Sequence, residues 1–201
     1  GLSEAAMARF RREAEAASRL HHPRICSVIA TGIDDGVPYI AMQLVAGKPL
    51  SLWMRERRGT TAVDDHSGHS FQMDFEESLP DPIREAGLDT PPAVPRALHA
   101  AHQARVIHRD IKPGNIMVTP DMHPVILDFG LARHVEDQAP ILTQSGDIMG
   151  TPHYMAPELL RGGSIVDART DVYSIGVTLY ELLAGRRPFE APNRERLYRA
   201  I

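Results

Sequence analysis

The sequence predicts an α+β fold, and three observations carry that prediction. Arg169 to Ala184 is apolar on nearly all sides, as a helix buried in a core would be. Two short apolar runs, Ile116-Met117-Val118 and Val125-Ile126-Leu127, flank Thr119-Pro120-Asp121. Turn chemistry between apolar runs makes them a pair of antiparallel strands. Residues 2 to 20 carry Met7, Phe10, Ala14 and Ala17 at near-helical spacing, and a second pair of strand candidates follows them.

The whole-chain properties narrow the class of molecule. The 201 residues suffice for one domain or for most of a two-lobed one. A hydrophobic content of 43% permits a packed core, so the chain is not of the disordered type. A net charge of −4 argues against a nucleic-acid binder. Cys26 is the only cysteine, so no intrachain disulfide forms, which fits a reducing, cytoplasmic setting. No apolar run reaches the length of a bilayer span and no signal peptide precedes the first helix, so the expectation is a chain with no membrane segment.

Ser3 is a candidate N-cap for the first helix, and His21-His22-Pro23 ends it, because the residue before a proline avoids the helical region. Ile25 to Ala30 and Val37 to Leu44 are the strand pair, joined through Asp34-Asp35-Gly36. Pro49 to Arg58 reads as a short helix with Leu50, Trp53 and Met54 on one side. Residues 59 to 92 sustain neither period, carry eight acidic residues and are broken by Pro80, Pro82, Pro91 and Pro92; the expectation is a poorly ordered segment. His66 and His69 beside Asp64 and Asp65 read as part of a solvated acidic loop rather than a metal site, since no scaffold orients them. Pro95 to Ala104 resumes a helix, with Leu98 and Ala101 on its apolar face. His134 to Met149 is polar and irregular. Gly185 stops the long helix at 169 to 184, and Asn193 opens a last one.

The chemistry concentrates between Val106 and Arg133. His108, Arg109, Asp110, Lys112 and Asn115 precede the first strand of the 116–127 pair, and Asp128, Phe129 and Gly130 follow the second. Antiparallel pairing brings Asn115 and Asp128 together, and an amide oxygen with a carboxylate suits Mg²⁺. Asp110 lies on the same loop, near enough to take a proton from a hydroxyl, and Lys112 can set positive charge beside a phosphoryl group in flight.

The combination H-R-D-x-K-x-x-N followed by D-F-G at this spacing resembles the catalytic loop and metal-binding turn of the protein kinase family. The resemblance extends over about residues 4 to 58 and 93 to 201, and its wording is most like bacterial serine/threonine kinases. It implies a two-lobed fold in which residues 1–48 are a partial small lobe and 49–201 a mainly helical large lobe, with 59–92 a true insertion or a replaced or mis-translated segment. It implies ATP and Mg²⁺ as cofactors and protein serine or threonine hydroxyls as substrate. Asp110, Lys112 and Asn115 become catalytic residues, and Asn115 and Asp128 the metal site. Met42 becomes the gatekeeper, Gln43, Leu44 and Val45 the hinge that meets adenine, and Met117 the apolar floor beneath it.

Further positions follow from the same resemblance. Glu13 falls at the glutamate of the small-lobe helix; the competing reading is a solvated helix-face charge. Thr143 and Ser145 stand where activation segments are phosphorylated, with Arg109 as the partner for a phosphate; they also read as ordinary loop hydroxyls. Thr151, in the stretch GTPHYMAPE, together with Lys112 resembles the serine/threonine branch, and Glu158 at its end pairs in the family with an arginine farther along. Asp171 would hold the catalytic-loop backbone and His108. The sequence contains no Gly-rich phosphate loop, and no lysine precedes Glu13. The resemblance therefore implies little transfer by these residues on their own, and the alternative is a non-catalytic, pseudokinase-like binding module.

Overall fold

A computed structural model describes residues 4–35, 37–60, 93–129, 152–160 and 166–201. Helix α1, Glu4–Ser18, lies against a hairpin of β1, Val28–Asp34, and β2, Val37–Met42. Phe10, Ala14 and Ala17, three of the residues whose spacing marks the helix, are buried, and Val28 and Ile40 pack on the two alanines. The strands pair antiparallel from Asp34 with Val37 back to Val28 with Met42, with a bulge between Val28 and Ala30. The first strand therefore starts later and runs farther than the expected Ile25 to Ala30. Ile25 instead bridges Ile126 in parallel, and Cys26 N–H donates to Ile126 O at 2.8 Å. Those backbone groups are used to stitch the connector to the other sheet, so the hairpin cannot begin until Val28. The second strand stops at Met42, two residues short of the expected end.

The other sheet has the order β3-β4-β5, where β3 is Lys48–Pro49, β4 Ile116–Val118 and β5 Pro124–Ile126. Ile116 faces Ile126 in the β4–β5 register, and Lys48 faces Val118. The two-residue β3 has no signal in the sequence. Gly47 precedes it at φ 145°, and a Cβ there would stand 2.2 Å from Val118 O, so only glycine fits this approach.

Helices α2, Leu50–Thr60, α3, Ala93–Gln103, and α5, Ala168–Ala184, complete the core, with short α4, Pro157–Leu160, and α6, Arg194–Ala200, on its margin. Leu50, Trp53, Leu98, Ile116, Ile126 and Ile175 belong to one continuous buried cluster. Asp167 caps α5 by accepting from Arg169 N–H at 2.8 Å, and Gly185 ends it in the left-handed region at φ 66°. The expectation that α5 is buried all round is corrected. Ile175, Val177 and Leu182 are buried, but Val172 is 62% exposed and Leu183 50%, because among the described residues no element packs on that side. Disorder was expected over 59–92, but Gly59 and Thr60 continue α2 by a further half turn; residues 61–92 and Ser3 lie outside the described residues.

Candidate active site

The loop from Val106 to Asn115 is fixed at both ends. Ile111 and Ile116 are fully buried, which anchors the chain on either side of the polar residues. At its start, the Asp171 carboxylate on α5 accepts the main-chain N–H groups of His108 at 2.9 Å and Arg109 at 2.8 Å. Its third donor is His102 Nε2 on α3, at 2.7 Å. Asp171 is wholly buried, and three donors are what such a carboxylate requires. Arg109 takes φ 67°, a left-handed region costly for any residue with a Cβ, and Asp171 on its amide helps hold it there.

His108 is also fully buried. Its Nε2 meets Leu127 O at 2.7 Å, and its Nδ1 accepts the Asp110 N–H at 3.2 Å. This pair of bonds selects the neutral tautomer with hydrogen on Nε2. Burial also pushes the imidazole below its ordinary pKa, against the opposing pull of the Leu127 carbonyl and the carboxylates of Asp171, Asp110 and Asp128. Phe129 is buried with its ring 4.8 Å from that of His108.

Asp110 sits beyond this anchor and is partly open to solvent. Its Oδ2 accepts from Lys112 Nζ at 2.7 Å and from Asn115 Nδ2 at 2.9 Å, and the same Nδ2 reaches Asp110 O at 2.8 Å. Two donors on one oxygen leave Oδ1 available to a hydroxyl proton. Asn115, which ends a 3₁₀ turn at Pro113–Asn115, has committed its NH₂ and has Oδ1 to offer elsewhere. Leu127 N–H donates to Asn115 O at 2.9 Å, so the β4–β5 pairing carries Asp128 to the residue just past Asn115's partner. Asp128 has φ 52°, tolerable for aspartate, and its carboxylate has no hydrogen-bond or ion-pair partner among the described residues.

Mg²⁺ fits this donor set. No three His, Cys, Asp or Glu side chains form a metal cage among the described residues. A single amide oxygen and a single free carboxylate are nevertheless the sparse, hard-oxygen set that suits Mg²⁺, which keeps waters and takes phosphate oxygens for the rest.

Past β2, Gln43 N–H donates to Ser27 O at 2.9 Å, while Gln43 O receives the Cys26 thiol at 3.3 Å. Burial raises the Cys26 pKa, as does the charge of Asp128, so the thiol stays protonated. Met42 and Leu44 are exposed and Val45 is partly buried; Met117 is partly buried and faces Val125 and Pro49 across its strand neighbours. On the far side of the loop, Thr170 Oγ1 donates to Glu158 at 2.7 Å, Ser174 Oγ to Tyr154 O at 2.8 Å, and Tyr154 OH to Glu181. Among the described residues Glu158 pairs with this threonine rather than with an arginine. The backbone of Glu13 lies on α1 but its side chain, like Gly130, Thr143, Ser145 and Thr151, lies outside the described residues.

His102 was not singled out from the sequence, although a signal exists. It follows Leu98 by four positions and so shares the buried face of α3, where a polar side chain needs a partner. Thr170, Ser174 and Glu181 escaped notice because a mostly apolar helix hides its polar contacts.

This architecture and loop define a protein kinase fold, and comparison with known proteins agrees. A family model described as the protein kinase domain matches residues 2–201, and the chain belongs to that family. It is 41% identical over 195 residues to serine/threonine-protein kinase pkn3 of Myxococcus xanthus, covering 94% of this chain and 31% of that protein. It is 38% identical to serine/threonine-protein kinase PknB of Mycobacterium leprae, covering 90% of this chain and 26% of the relative. Among solved structures it resembles the PknI kinase domain of Mycobacterium tuberculosis with a TM-score of 0.65 and 31% identity, covering 96% of this chain and 63% of that one. The chain thus spans about a third or less of these curated relatives. No described helix is long and apolar enough to cross a membrane.

Proposed function

We propose that the chain is the catalytic-loop portion of a bacterial-type serine/threonine protein kinase, transferring the γ-phosphoryl group of ATP to protein hydroxyls. The observation that carries this reading is the shared oxygen of Asp110, held by Lys112 and Asn115 while Asp171 and His108 fix the loop behind it.

In this reading Asp110 orients the substrate hydroxyl and accepts its proton through the oxygen left free. Lys112 bridges that carboxylate and the transferring phosphoryl group, offsetting charge that grows there. Asn115 Oδ1 and the Asp128 carboxylate would hold Mg²⁺, which would offset charge on the phosphates. Met42, the main chain of Gln43 to Val45, and Met117 form the adenine site. Thr143 and Ser145 are proposed phosphorylation sites, Thr151 joins the Lys112–Asp110 pair, and Glu13 belongs to the small-lobe side of the nucleotide site. Residues 1–48 and 49–201 are proposed as the two lobes, and a cytoplasmic setting is proposed because Cys26, the one cysteine of the sequence, fits a reducing compartment.

The test is transfer of labelled phosphate to a generic protein substrate with Mg²⁺, using the product of the complete reading frame. Activity that Asp110→Asn abolishes supports the reading. Saturable partner binding with no transfer favours the pseudokinase-like module instead.

A further inference from the structure

A second concave site lies on the connector between α1 and β1, away from Asp110. It is an open groove of about 660 Å³ bounded by three stretches: His21 to Ser27, Gln43 to Ala46 after β2, and the β4–β5 turn from Thr119 to His123. Its floor is apolar, formed by Ile25 and Val125, both buried. Its walls carry two side-chain donors. The guanidinium of Arg24, half-buried, has no hydrogen-bond or ion-pair partner among the described residues. His22 accepts the Arg24 N–H on Nδ1 at 3.1 Å, so a neutral ring carries its hydrogen on Nε2, which is unpaired among the described residues. At the rim, Leu44 is 93% exposed and adds apolar surface beside these donors. The main-chain groups of Leu44 and Ala46 have no protein partner among the described residues. One carboxylate, Asp121, opposes an anion here, and it sits exposed on the turn.

We propose that this groove is a docking site for an extended acidic peptide of a partner protein. An unpaired arginine next to a fixed imidazole donor matches a carboxylate, since a charge-assisted bond to an otherwise idle guanidinium is the strongest contact the groove offers. The apolar floor and the Leu44 side chain take an aliphatic side chain one or two positions away, and the idle amide of Ala46, outside the proposed adenine site, takes a peptide carbonyl. A metal ion does not fit, because the described residues give no ligand cluster. A basic peptide would leave Arg24 unpaired and oppose it. The inference does not depend on phosphoryl transfer, so either can fail alone.

The test is fluorescence anisotropy with a labelled peptide of alternating glutamate and leucine, beside one with lysine in place of glutamate. The glutamate peptide should bind saturably and lose affinity with added salt, and the lysine peptide should not bind. Arg24→Gln should weaken binding about tenfold, the scale of one charge-assisted contact, and Arg24→Glu should remove it. Circular dichroism of both variants checks that they fold; the Arg24 side chain has no described partner to lose. Absence of saturable binding, equal binding of the lysine peptide, or unchanged affinity in folded Arg24→Glu overturns the proposal. So does self-association of the chain that Arg24→Glu abolishes while the peptide fails to compete, which would make a second copy the occupant.

Discussion

His108 donates through Nε2 to the main-chain oxygen of Leu127 at 2.7 Å, and so ties the loop that carries Asp110 to the residue before Asp128. The same ring accepts from Asp110 N–H. One neutral imidazole thereby sets the spacing between the residue proposed to take the proton and the residue proposed to hold the metal.

This arrangement predicts a pH dependence. The folded pKa of His108 is lowered, chiefly by burial. Between that lowered value and the ordinary one near 6.5 the unfolded chain binds the extra proton, so stability rises with pH there. The contribution is complete above about pH 6.5 and is lost as pH falls below it. Urea titrations from neutral to mildly acid pH should show the decline, and the His108 ring should remain neutral by NMR throughout. A His108 signal that titrates at or above the ordinary value in the folded chain would contradict this.

Asp171 should matter first to the fold. Asp171→Ala strands one buried donor and two partly buried ones, and an unsatisfied buried donor costs about 1–3 kcal/mol, so a loss of about 2–4 kcal/mol is expected. Asp171→Asn keeps the shape but must turn an NH₂ toward at least one donor, and should fall between. Chemical denaturation measures both. A loss under about 1 kcal/mol for the alanine variant would mean that the loop is held by something else.

Gly47→Ala tests the approach of β3 to β4. The added Cβ meets the Val118 carbonyl at 2.2 Å in a backbone region closed to other residues. Strain and displacement together should cost about 2–4 kcal/mol. A thermal midpoint equal to that of the parent would show that the β3–β4 pairing is dispensable.

Asp128→Asn should leave stability nearly unchanged, because the carboxylate lacks a described partner and asparagine tolerates its positive φ. Mg²⁺-dependent nucleotide binding, measured by calorimetry on the complete gene product, should fall at least about tenfold, the scale of one lost charged ligand. Equal affinity with and without Mg²⁺ in both proteins would remove Asp128 from the metal site.

Local chemistry made much of this legible in the sequence. Turn residues and strand length were enough to place the β4–β5 hairpin within a residue, and Asn115 next to Leu127 follows from that pairing. The end of α5 was legible because Gly185 is a strong stop. Three things were not. The start of β1 depends on Ile25 and Cys26 being bonded to β5, a contact about a hundred residues away in sequence that no local pattern reports. The bare side of α5 looks like core by composition, since a helix carries no label for which neighbours it has. His102 is one polar residue on an apolar face, and its value appears only once Asp171 lies opposite.

Asp110, positioned by Lys112 and Asn115, is the proposed acceptor of the protein hydroxyl's proton during phosphoryl transfer. The most direct measurement is the turnover of Asp110→Asn against the parent, in the complete gene product with ATP, Mg²⁺ and a generic protein substrate. A correctly placed base contributes about 10²–10⁴-fold, so the variant should lose at least that lower figure while its denaturation curve stays close to the parent's. Turnover within a few-fold of an active parent, in a variant shown to be folded, would mean that Asp110 is not the base.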